Sequence, residues 1–105
     1  MSWPAEQVRP GAKLDFAIDW KTPPAGRRDG YLGAGVTISA VTWTLPPGLS
    51  ADNAPAGAIE GSGTISRIQN VTGFVDGTDY ELVCEIIYGA QLNKDSRVIT
   101  IECRA

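Results

Sequence analysis

The chain has 105 residues, about the size of one domain, so a single hydrophobic core is expected with little room for a second. Hydrophobic residues make up 43% and charged residues 20%, which is globular chemistry and excludes the low-hydrophobicity signature of disorder. Formal net charge is −3, and Arg27–Arg28 is the one paired like charge. Phosphate neutralisation needs a basic face, so nucleic acid is not an expected partner.

The opening stretch, MSWPAEQVRPGAKLDF, has no charged n-region followed by an apolar h-region. No window approaches the ~20 apolar residues that a membrane span requires. Neither an export signal nor a membrane association is expected. Residues 1–12 read as an extended N-terminal segment and residues 13–105 as the folded domain. Trp3 lies in the segment, flanked by Pro4, where no periodicity assigns it to a core. It is a candidate partner contact, since extended termini of small assembly proteins often order only against a neighbour.

Helical periodicity is nearly absent, and 12 glycines and 7 prolines interrupt the chain too often for long helices. In KLDFAIDW (13–20), Leu14, Phe16, Ile18 and Trp20 alternate with polar or small residues, as a half-buried strand requires. TPPAGRRDGYLGAG then reads as a long loop, carrying Arg27, Arg28 and Tyr31 as further candidate partner contacts. VTISAVTWTL is a second strand, bulged because its apolar phase shifts between Ile38 and Trp43. SADNAPAGAIEGSG reads as loop, and TISRIQNVTGFV as one or two short strands with Ile65, Ile68 and Val71 as core candidates.

Tyr80, Leu82, Cys84, Ile86 and Tyr88 fall on one face of the clearest strand, and RVITIECR closes the chain as another. The two are expected to form an antiparallel hairpin. A turn near Asn93 and Lys94 would set Cys84 and Cys103 opposite each other; a cross-strand disulfide there is usually strained, so two free, buried thiols are expected. Six or seven short strands without helices predict an all-β fold, a single antiparallel β-sandwich. DGTDY sharpens that expectation. A tyrosine after a glycine-bearing turn at the start of a strand resembles the tyrosine corner of immunoglobulin-like and fibronectin type III domains, which gives Tyr80 a structural role.

Catalytic chemistry finds little support. The chain has no histidine, so the commonest general base and the commonest zinc ligand are missing. Both cysteines sit in apolar strand contexts, where a thiol tends to be protonated and inert. Asp15 and Asp19 share one face of the first strand, but ordinary polar alternation accounts for them. Asp76 and Asp79 lack the spaced ligands and closing glutamate of a calcium loop, and GAIEGSG lacks the ending and helix of a phosphate cradle. No catalytic residue, metal or cofactor is expected. Trp20 and Trp43 read as core residues.

The series LDFAIDW, TISAVTWTLPPGLS, GTDYELVCEI and SRVITIEC resembles the small phage and prophage proteins called fiber-tail adaptors. Asp19–Trp20 matches the family's first element; Thr37, Ile38, Trp43, Pro46 or Pro47, Gly48 and Leu49 match its second. Gly77, Thr78, Tyr80 and Leu82 match the third, and Arg97, Ile99 and Ile101 the last. The likeness spans roughly residues 13–103; the loop after Trp20 is longer than the family's. The resemblance implies a non-enzymatic virion component with an Ig-like fold, present in symmetric copies, whose partners are tail, connector or fiber proteins. Two other classes stay open: an Ig-like surface adhesion or carbohydrate-binding module, and a small hydrolase using Asp15 or Asp19.

Overall fold

Alternating apolar residues and β-branched side chains build strands that each offer one face to a core. The computed structural model describes residues 6–21, 32 and 35–105. Among these residues there are seven strands and no helix: β1 (Glu6–Val8), β2 (Leu14–Asp19), β3 (Ile38–Thr44), β4 (Ala58–Glu60), β5 (Ile65–Val71), β6 (Asp79–Tyr88) and β7 (Asn93–Cys103). They form two sheets, of order β1-β7-β6-β3 and β2-β5-β4.

Five of the strands were anticipated, and β1 and β4 were not. Residues 6–8 lie within the stretch read as an N-terminal extension, yet they pair in parallel with β7, Glu6 to Ile101 through Val8 to Cys103. The four-stranded sheet is therefore mixed, where a wholly antiparallel arrangement was expected. Strand β4 pairs with β5 inside the stretch read as loop. TISRIQNVTGFV supplies one strand, not two. The phase shift in β3 is real: its register with β6 slips between Ile38 and Ala40.

The β6–β7 hairpin pairs Tyr88 with Asn93, so the turn is Gly89–Leu92 and not the Asn93–Lys94 expected. Cys84 consequently lies opposite Arg97, and the two cysteines are not neighbours across the hairpin. Both are free and buried.

The inward faces of both sheets feed one apolar cluster. Phe16, Ile18 and Ile68 come from the three-stranded sheet, and Trp43, Leu82 and Ile101 from the four-stranded one. Ser66, not Ile65, takes the core position at the start of β5. Its hydroxyl accepts the Trp20 Nε1–H hydrogen bond at 2.9 Å and meets Cys84 Sγ at 3.3 Å. That pairing satisfies an indole N–H that burial would otherwise leave costly, and it links the two sheets. The Arg97 guanidinium, also buried, lies 4.7 Å from the centre of the Trp20 ring, a cation–π distance.

Candidate interaction surface

Strand direction decides which connections share an end of the molecule. Strand β2 ends at Asp19 and β3 begins at Ile38, β4 leads from Glu60 into β5 at Ile65, and β6 leads from Tyr88 into β7 at Asn93. Antiparallel pairing of β2 with β5, β5 with β4, β3 with β6 and β6 with β7 puts the end of β2, the start of β3 and the β4–β5 and β6–β7 turns at the same end of their sheets. Backbone hydrogen bonds tie them together. Trp20 N–H donates to the Thr64 carbonyl at 2.9 Å, Ile38 N–H to Gly63 at 2.8 Å, and Gly89 N–H to Thr37 at 3.2 Å.

Gly63 is required at this junction. Its φ is +85°, and a Cβ there would lie 2.9 Å from Thr37 Cβ. Leu32 anchors the far side of the long connection: it is buried, and its N–H donates to the Trp20 carbonyl at 2.8 Å. A loop residue in the core carries no periodicity, which is why its sequence position gave no sign of it. The β4–β5 and β6–β7 turns are thus tied by backbone hydrogen bonds to the end of β2 and the start of β3. Such loops on a rigid scaffold are where binding surfaces form.

At the tip of the hairpin, Leu92 is 64% exposed, in the company of Ala90, Gln91, Asn93 and Lys94, which are also exposed. Leu92 went unnoticed in the sequence because a single leucine within a polar turn has no pattern. The candidate contacts Trp3, Arg27, Arg28 and Tyr31 lie outside the described residues.

The opposite end is built around the segment before β6. Val75 N–H donates to Tyr80 Oη at 3.0 Å, and that hydroxyl in turn points to the Gly73 carbonyl at 3.5 Å. The Tyr80 ring packs edge-on against Phe74, which packs edge-on against Phe16, at centroid separations of 5.7 and 6.3 Å. Gly73 has φ +108°, and a Cβ on it would strike the Gly48 carbonyl oxygen, so the two loops approach as closely as backbone allows. Asp76 and Asp79 are used locally: Asp76 accepts from Ala105 N–H at 2.9 Å, and Asp79 pairs with Arg104 at 2.9 Å. Gln7, Val8, Arg9, Arg104 and Ala105 line a recess beside them.

Among the described residues, chemically reactive groups do not converge at either end. Asp15 accepts from Asn70 N–H at 2.9 Å and lies 3.9 Å from Arg67, which pairs with Glu60 at 2.7 Å. Asp19 accepts from Lys21 N–H. Each carboxylate is thus engaged in holding a strand or turn. Burial pushes the Cys84 thiol up to about 12 against the opposing effect of its Ser66 contact, so the nucleophilic thiolate is scarce near neutral pH. Burial, with Asp76 nearby, raises Cys103 too. Among the described residues, no three His, Cys, Asp or Glu side chains group as a metal would require, and no helix is long and apolar enough to cross a membrane.

Comparison with known proteins gives a family model described as "Podophage GP4 fiber-tail adaptor protein gp77", which matches residues 9–102 of the 105. No curated protein and no solved structure gave a match.

Proposed function

The chain belongs to the podophage GP4 fiber-tail adaptor family, and we propose that it is a non-enzymatic structural part of a bacteriophage or prophage-derived virion. In this reading it links the tail or its connector to fibers or to neighbouring tail proteins, in several symmetric copies. The observation that carries the reading is the family match over residues 9–102. It is assembled in the host cytoplasm, and its partners are other virion proteins.

We also read the two sheets as an Ig-like sandwich. Strands β2-β5-β4 beside β3-β6-β7 follow the B-E-D and C-F-G orders of that fold, with β1 added along β7. The Tyr80 hydroxyl bonded to backbone five and seven residues upstream, at the start of β6, supports a tyrosine corner. Such a sandwich presents rigid loop ends and strand edges to partners without itself rearranging. Fold alone would not assign the role, since sandwiches host many functions.

Denatured mass spectrometry of phage particles purified from the host that carries this gene tests the proposal. Peptides of this chain at a constant ratio to other tail proteins are expected. Intact particles that lack them would remove the adaptor reading and favour a surface-binding module.

A further inference from the structure

The β6–β7 turn holds a leucine where its backbone geometry asks for another residue. Pairing ends at Tyr88 and Asn93, and Leu92 N–H donates back to the Gly89 carbonyl at 3.2 Å. Leu92 closes this turn at φ +55°, in the left-handed region. Glycine occupies that region freely and asparagine nearly so, whereas leucine enters it at a cost. Gly89, at φ +75°, is the residue type such a turn prefers. Leu92 recovers little of that cost through burial, since 64% of its surface faces solvent. Val75 is comparably exposed at 60%, but its backbone is not left-handed and its N–H is used by Tyr80, so nothing there is out of place.

We propose that Leu92 is a docking anchor, inserted into an apolar pocket on a different protein of the particle; the inference rests on the adaptor reading. A strained backbone bearing an exposed apolar side chain is the pattern expected where folding stability is given up for a contact. The hairpin suits the task. Its ten paired positions, Asp79–Glu102 to Tyr88–Asn93, and the Gly89-to-Thr37 hydrogen bond hold the tip in place, so little freedom is lost on docking. Gln91, Asn93 and Lys94, exposed neighbours of the leucine along the chain, match a pocket with an apolar floor and a hydrogen-bonding, acidic rim.

A second copy of this chain is the rival occupant, and the test below separates it from a different protein.

The test compares wild type, Leu92→Asn and Leu92→Met, each supplied to particles that lack the native protein. Asparagine relieves the backbone and removes the apolar contact; methionine keeps the contact. The purified Leu92→Asn protein is expected to melt a few degrees higher than wild type. Its incorporation into particles should fall roughly tenfold or more, as on loss of an interface anchor, while Leu92→Met incorporates like wild type. Incorporation of Leu92→Asn at the wild-type level, or a lower melting temperature for it, overturns the inference and leaves the adaptor reading standing. Wild type absent from particles overturns both. If purified wild type self-associates and Leu92→Asn is monomeric by sedimentation, the pocket belongs to a second copy and the assignment to a different protein is wrong.

Discussion

Tyr80 uses both capacities of one hydroxyl, accepting from Val75 and donating toward Gly73, at the point where the chain enters β6. Replacing it with phenylalanine leaves the Val75 N–H without that acceptor, so Tyr80→Phe should lower stability by about 1 kcal/mol or somewhat more in denaturant titrations. An unchanged midpoint would show that the hydroxyl holds nothing. Cys84 makes a pH-dependent prediction. Its thiol is raised from an ordinary 9.0 to about 12 in the folded protein, so the folded state keeps the proton more tightly than the unfolded chain. That stability is complete below about pH 9 and is lost as pH rises from there toward 12, by about 1.4 kcal/mol per unit within the window. Under reducing conditions the loss between pH 8 and pH 10 should be smaller for Cys84→Ala than for wild type; equal slopes would count against it. Gly57 is a third case. At φ +63°, a Cβ would sit 2.6 Å from the Arg67 carbonyl and 2.7 Å from Trp43 Nε1, so Gly57→Ala should cost about 2–3 kcal/mol, readable as a lower melting temperature. Most core residues were legible from alternation alone. Ser66 was not, because hydrophobicity favours Ile65, while the buried Trp20 indole selects a hydroxyl.

Periodicity reveals an element only when the element is long enough to repeat. Strands β2, β3, β5, β6 and β7 span six to eleven residues and showed themselves through their inward faces. Strands β1 and β4 have three residues each, and backbone pairing with a longer neighbour defines them. The hairpin turn was misplaced for a related reason. Asn93, Lys94, Asp95 and Ser96 have turn-forming side chains, but they pair with the end of β6, and the turn falls on Gly89–Leu92. The role of β1 can be measured. Val8 is buried and its carbonyl accepts from Arg104 N–H at 3.0 Å, so deleting residues 1–10 removes core area and leaves β7 with an open edge. The shortened chain should still fold, with stability lower by about 2–3 kcal/mol. A midpoint equal to that of the full chain would mean that β1 contributes nothing.

For the whole molecule, the family was legible in the sequence through resemblance. The matching residues, among them Trp20, Trp43, Tyr80 and Leu82, are buried fold determinants, so they identify a family without marking its interface. Partner contacts need neither periodicity nor motif, so Trp3, Arg27, Arg28 and Tyr31 are candidates chosen by elimination, and the proposed anchor Leu92 emerged only from its backbone angle. An adaptor built into a virion must be present on the tail of the native particle. Immunogold electron microscopy of native particles, with an antibody against this chain, tests that most directly. Label is expected at the tail, where fibers or the connector attach. Label confined to the host cell surface, with the tails of accessible intact particles bare, would contradict it.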